Sequence, residues 1–182
     1  MAKQSERSTL VRRGALVVCV LAIALAPNPL ISSGEMAGVS VGFSRVDITP
    51  DFPIRLNGYG SRSEESQEVA GRLYARAMAI GDDNAAGGPA LIVTVDNCAD
   101  IAPIVEKVHQ RVAAEARLAR ERFVIASTHT HAAPVLTGSI PTIFGEAFPP
   151  DQQARVDRYT SELTDRIVQV SLQALKARQP AR

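Results

Sequence analysis

Two histidines one residue apart, His129 and His131, are the side chains of this sequence whose type and spacing most directly suggest chemistry. In an extended segment, residues two apart face the same side with their Cα atoms about 6.5–7 Å apart. Both imidazoles can then point into one pocket. Imidazole is a borderline-soft nitrogen donor that suits Zn²⁺, and it is also the side chain best matched to moving protons near neutral pH. The pair therefore suits either a shared metal or a metal ligand beside an acid/base group. A ligating imidazole needs an acceptor on its other ring nitrogen. Asp96 is a candidate for that outer position, and equally for a turn or helix-entry residue alongside Asn97 and Asp100. His109 falls within a helical pattern away from these groups and reads as surface or boundary packing, while Ser127 and Thr128 read as a strand-end turn rather than as nucleophiles.

These residues need a scaffold that brings the ends of two strands together. Ala90-Leu91-Ile92-Val93-Thr94-Val95 is a continuous apolar run of the kind that forms a buried strand, and Phe123-Val124-Ile125-Ala126 is a second one. Between them Ile101, Ile104, Val105, Val108 and Val112 recur at helical spacing, with Asp100 placed to cap and Pro103 tolerated in the first turn. Strand, helix and strand make a βαβ unit with parallel strands. Ligands bind beyond the carboxyl ends of such strands, which is where Asp96 and His129 fall. Upstream, residues 39–46 alternate apolar with polar or small side chains as a half-buried strand does, and Asp47-Ile48-Thr49-Pro50 stops the run. Residues 72–81 also alternate, although their small side chains permit a helix as well. The turn chemistry of residues 82–88 then joins this segment to the next strand as a hairpin. Residues 51–71 read as a long functional loop in which Gly58-Tyr59-Gly60 and Arg62 are either turn residues or the border of a substrate entrance. A final amphipathic helix spans about residues 151–177, with Val156, Tyr159, Leu163, Ile167, Val170 and Ala174 on one face. The broken apolar segment 136–150, with Phe144 and Phe148, reads as a core contact or as a lip that touches lipid. The predicted class is α/β, a mixed sheet with one βαβ unit and flanking helices.

Composition is that of a folded chain, with 46% hydrophobic and 21% charged residues. The first 37 residues differ: Lys3, Arg7, Arg12 and Arg13 precede an apolar run from Gly14 to Ala26 that Pro27 ends. That is the layout of an export signal, and the run is shorter than the roughly 20 residues a membrane-spanning helix needs. We therefore expect residues 1–37 to direct export to the periplasm or beyond, and residues 38–182 to form the working domain. The latter carry 16 basic and 17 acidic residues, a balance that argues against a nucleic-acid partner. Cys19 lies in the signal and Cys98 in the domain, so the domain has no internal disulfide.

Several segments occurring in order resemble the N-terminal region of the neutral/alkaline ceramidases. They are residues 42–50 (Gly-Phe-Ser-Arg-Val-Asp-Ile-Thr-Pro), Gly58-Tyr59-Gly60, Leu73-Tyr74-Ala75-Arg76-Ala77, Val95-Asp96 and residues 128–134 (Thr-His-Thr-His-Ala-Ala-Pro). The resemblance runs over residues 39–182. It implies a zinc enzyme that hydrolyses the amide of an N-acyl sphingoid base or a related lipid amide, at or near a membrane surface. By resemblance His129 is the zinc ligand, and His131 lines the site as a hydrogen-bonding or acid/base partner. The chain departs from the family in carrying Ala132-Ala133 where Ser-Gly is common. The family's other zinc ligands (a histidine, a glutamate and a tyrosine) and its central serine lie downstream of the matched region, so the resemblance implies an N-terminal part of a larger catalytic domain. Two other readings compete: a metallohydrolase acting on esters, and a non-catalytic exported binding module in which the histidines are structural.

Overall fold

The computed structural model describes residues 38–84, 86–98, 101–139 and 144–181. The expected export segment, Asp100 as a helix cap, and the middle of the apolar segment after Leu136 lie outside these residues. The chain forms strands β1 (Val39–Asp47), β2 (Tyr74–Ile80) and β3 (Ala90–Val95), helix α1 (Ala102–Ala116), strand β4 (Phe123–Ser127), helix α2 (Pro150–Lys176) and strand β5 (Gln179–Ala181). One sheet contains all five strands in the order β4-β3-β2-β1-β5. β3 and β4 are parallel, with Leu91 opposite Phe123 and Val95 opposite Ser127, and the other pairings are antiparallel. The expected βαβ unit and β2–β3 hairpin are both present.

The period of two decides what each strand buries. Ala75, Ala77 and Ala79 of β2 and Leu91, Val93 and Val95 of β3 are buried, and they share a core with Ile104, Val108 and Val112 of α1. From α2, Val156, Tyr159, Leu163, Ile167, Val170 and Ala174 join it, the face that the helical spacing predicts. Small residues on the helix-facing side let α2 come close. A side chain on Gly42 of β1 would place its Cβ 2.1 Å from the carbonyl oxygen of Ala174, so only glycine lets the end of α2 rest there. The alternation in residues 72–81 is thus a strand, with alanines serving as a floor for α2 rather than as helix formers.

The continuous apolar run of β3 is not buried on both faces, as its composition suggests. Ile92 is 36% exposed, and it stands in register between Met78 and Val124, with Phe43 beyond Met78. Both helices lie on one side of the sheet, so this row faces outward. β5 was not expected from the sequence. It is a three-residue edge strand pairing with Val39–Val41, where Pro180 sits opposite Ser40 and its missing N–H costs nothing on an edge. Helix α1 begins at Ala102 behind Ile101, with Pro103 in its first turn and no side-chain cap. No described helix is long and apolar enough to cross a membrane.

Candidate active site

The parallel pair β3–β4 ends at one edge of the sheet, and its ladder continues one step as the Thr128 N–H donates to the carbonyl of Val95 at 3.0 Å. The chain then turns sharply. His129 has φ of 61°, in the left-handed region that side chains with a Cβ occupy at a cost of about 1 kcal/mol or more. The two imidazoles therefore converge through a turn, not along the extended segment that their spacing suggested. Their ring centroids are 5.1 Å apart and the planes meet at 76°.

His131 is held from the other side by the 51–71 loop. Tyr59 meets its ring edge-on at 4.8 Å, and the Arg62 guanidinium stacks over Tyr59 at 4.8 Å. Arg62 also donates to the carbonyls of Asn57, at 2.7 Å, and of His131. Gly58 has φ of 100°, and a Cβ there would lie 2.4 Å from Cγ of His131. Of the segment that reads as turn or entrance residues, Gly58, Tyr59 and Arg62 thus form the wall against which His131 rests.

The loop is fastened at several points. The Asn57 N–H donates to Ala133 and the Val135 N–H to Arg55, both at 2.9 Å, so residues 55–57 pair with 133–135 in a short antiparallel ladder. Asn57 and Ala133 are buried at one end of it. Arg55 is buried as well. Its guanidinium lies 5.2 and 4.8 Å from the rings of Phe144 and Phe148 and donates to the carbonyls of Arg62 and Ser63. Phe144 and Phe148 also pack against the core, so these parts of the 136–150 segment make the core contact rather than a lip. Glu65 takes a two-pronged ion pair from Arg155 of α2, with both N–O distances 2.7 Å.

Asp96 lies at the end of β3 as expected, but its carboxylate is engaged by β2. It accepts the Tyr74 N–H at 2.8 Å and pairs with Arg76 at 3.2 Å. The structure joins it to that strand and not to an imidazole. His109 packs at a boundary, its Nε2 3.1 Å from the Leu118 carbonyl and its ring against Phe123.

Cys98 is the residue that pattern reading missed. It sits three positions beyond Val95 and is buried, and its sulfur and one ring nitrogen from each of His129 and His131 all lie within 4.8 Å of one another. The signal that could have found it was available: like His129, it lies just past the carboxyl end of one of the two parallel strands. The chemistry of this set fits a zinc ion, as thiolate and imidazole are its usual soft and borderline donors. Nδ1 of His131 is buried with no hydrogen-bond partner among the described residues, on the side of the ring that meets Gly58.

Next to the histidine turn, a hollow of about 490 Å³ opens between it and the loop. Phe52, Leu56, Val69 and Leu73 line one side, and Thr130 and Ala132 reach it from the turn. Ala132, at the departure from the common Ser-Gly, is thus part of an apolar wall, while Ala133 is a packing position. A smaller hollow of about 160 Å³ lies between Thr49, Asp51, Tyr159 and Arg166, with no histidine or cysteine in its lining.

Residues 39–157 match the family described as neutral/alkaline non-lysosomal ceramidase, N-terminal. Among solved structures, the chain is similar to neutral ceramidase from Pseudomonas aeruginosa, with a TM-score of 0.65 and 22% identity over 80% of this chain and 23% of that one. It is similar also to a ceramidase complexed with C2, with a TM-score of 0.63 and 22% identity over 79% of this chain and 22% of the other. At that identity the likeness establishes the fold. The chain spans under a quarter of the length of either structure.

Proposed function

Since the chain belongs to the neutral/alkaline non-lysosomal ceramidase family, we propose that it supplies the metal-binding and proton-handling half of a zinc-dependent hydrolase acting on lipid amides of the N-acyl sphingoid base class. The observation that carries this reading is the convergence of His129 and His131 at 5.1 Å where two parallel strands end, beside an apolar hollow. Family and fold support a ceramidase-like hydrolase; the metal, the substrate and the residue roles are the proposal.

In this reading His129 holds the cation. Its left-handed backbone turns the imidazole toward its partner, a conformation of the kind that persists at functional sites because the surroundings enforce it. Zinc, when bound, supplies a Lewis acid that polarises an amide carbonyl and acidifies water. His131 hydrogen-bonds near the scissile bond and carries a proton to the leaving amine, a role for which Tyr59 and Gly58 fix its ring. The hollow lined by Phe52, Leu56, Val69 and Leu73 receives an acyl or alkyl chain and excludes water from it. Asp96 enters as the residue that ties the ends of β2 and β3 together beneath the site. Export directed by residues 1–37 belongs to the same proposal, since an extracytoplasmic hydrolase meets lipid at a membrane surface.

The test is hydrolysis of an N-acylsphingosine and of the matching ester, with zinc content measured on the same samples. His129→Ala should lose zinc and hydrolysis together, and His131→Ala should lower amide hydrolysis by about 10²–10⁴-fold. Unchanged zinc and turnover in His129→Ala would overturn the reading. Preference for the ester would reassign the bond, and zinc binding without turnover of either would leave a non-catalytic module.

A further inference from the structure

Arg55 is the one buried arginine among the described residues, at 7% exposure, and no carboxylate there pairs with it. Glu65 stands opposite it in an isolated antiparallel bridge, yet both Glu65 oxygens go to Arg155 of α2. A cation taken out of water without a counter-charge persists only where other dipoles replace its hydration. Here these are the carbonyls of Arg62 and Ser63, the amide oxygen of Gln152 at 3.3 Å, and the faces of Phe144 and Phe148. Nε has no partner. Ion pairing therefore does not explain the residue: two of its three acceptors lie in one short stretch of the 51–71 loop.

That stretch is the one that touches His131. Arg62, whose carbonyl accepts from Arg55, lays its guanidinium over Tyr59 and donates to the carbonyls of Asn57 and His131. The Arg62 N–H returns to the carbonyl of Tyr59 at 3.2 Å, so residues 57–62 close into a coil. The main chain of Arg55 is fixed on the opposite side, its carbonyl accepting the Val135 N–H at 2.9 Å in the ladder that follows His131. One residue thus joins the chain leaving His131 to the coil that walls it. A guanidinium suits this task better than an ammonium, because its planar fork reaches two successive carbonyls while its faces stack on aromatic rings. The same loop lines the apolar hollow through Phe52, Leu56 and Val69.

We propose that Arg55 is a positioning residue for His131: its fork closes the 57–63 coil onto the histidine, acting through Arg62, and so places the imidazole and one wall of the hollow together. The proposal rests on the reading of His131 as the proton-handling group of the site. The placement itself is measurable without metal or turnover, so a failure of the hydrolase reading and a failure of this one are distinct results.

The test compares the full chain, metal-free, with Arg55→Lys, Arg55→Met and Arg62→Lys by NMR, reading amide hydrogen exchange and the histidine ring resonances. In both Arg55 variants, protection of the Asn57 and Val135 amides should fall by roughly 10–100-fold, the weight of hydrogen bonds from a charged donor. The His131 ring signals should move and its cross-peaks to Tyr59 weaken, while the His109 signals and the protection of the β3 amides stay as in the parent. Arg62→Lys should displace the His131 signals in the same direction, and adding it to Arg55→Lys should displace them little further, since both changes break one route. Equal loss of protection across the sheet and the loop, with His131 signals unmoved, would overturn the proposal and leave Arg55 a general stabiliser. Full retention of the parent signals in Arg55→Lys would overturn the role of the fork, and additive displacements in the double variant would overturn the route through Arg62. Arg55→Lys keeps the charge and most of the stem, so the comparison stands even where Arg55→Met fails to fold.

Discussion

A Cβ placed on Gly58 would lie 2.4 Å from Cγ and 2.8 Å from Nδ1 of His131, closer than any real contact of that kind. The loop glycine and the histidine after β4 are 73 residues apart in sequence, yet the position of one is possible only because the other has no side chain. The same glycine has φ of 100°, so two independent demands fall on one residue.

Gly58→Ala should therefore lower stability by about 1–3 kcal/mol, the cost of a strained backbone together with a displaced neighbour. It should also shift the His131 ring resonances in a proton–nitrogen NMR spectrum more than those of His109. Normal stability with unshifted His131 signals would mean that the contact is not maintained in solution.

The φ of 61° at His129 gives a comparison between two substitutions that both remove the imidazole. Without metal, His129→Gly should be more stable than His129→Ala by about 1 kcal/mol, because glycine occupies that region without a Cβ penalty. Thermal unfolding of the two proteins reads the difference. Equal stability would show that the turn relaxes to an ordinary conformation once the imidazole is gone.

Under the sheet, Tyr159 is buried, and its hydroxyl donates to the carbonyl of Ile48 at 3.0 Å. Burial pushes its phenol far above the ordinary range, so it stays protonated and keeps donating at any pH the fold survives. Tyr159→Phe should cost about 1 kcal/mol through the carbonyl it leaves without a partner. One turn further along α2, Leu163→Ala should cost about 2–5 kcal/mol through lost burial and the cavity left behind. Urea denaturation midpoints at constant m-value would rank the two, and the reverse order would place the helix face elsewhere.

Acid stability should depend on Asp47. Partial burial pushes its carboxyl up, but hydrogen bonds from Thr49 and the charges of Arg72 and Arg166 outweigh that and hold it below its ordinary 3.8. A folded-state value below the unfolded one means that the stabilisation is complete above about pH 4 and fades as the pH falls through the lower folded value. Asp47→Asn should then be less stable than the parent at pH 6, with the gap narrowing once the pH falls below 3.8 and through the lowered folded value. A difference that stays constant across this range would show that the ionised carboxylate is not the source of the loss.

The sequence by itself determined the βαβ unit, the β2–β3 hairpin, the buried face of α2 and the two histidines at a strand end. Each is written in near neighbours: apolar residues recurring every two or every three to four positions, turn residues between them, and a His-x-His pair. Period alone could not say that one face of β3 stays open. That depends on both helices lying on the same side of the sheet, so Ile92 was misjudged from an apolar run in which every second residue faces outward.

The tertiary structure decided the rest of the site. Cys98 and His129 are 31 residues apart and meet because parallel pairing of β3 with β4 brings the two strand ends together. Tyr59, Arg62 and Gly58 reach His131 because residues 55–57 pair with 133–135 across a long separation. Asp96 was placed correctly along the chain, but its partners could not be read there. Whether a carboxylate at a strand end turns to an imidazole or to Tyr74 and Arg76 depends on which donors the neighbouring strand presents in register. Local spacing fixes which face a side chain takes within its own element, whereas what it touches there is fixed by strand pairing and loop closure, which no short stretch of sequence contains.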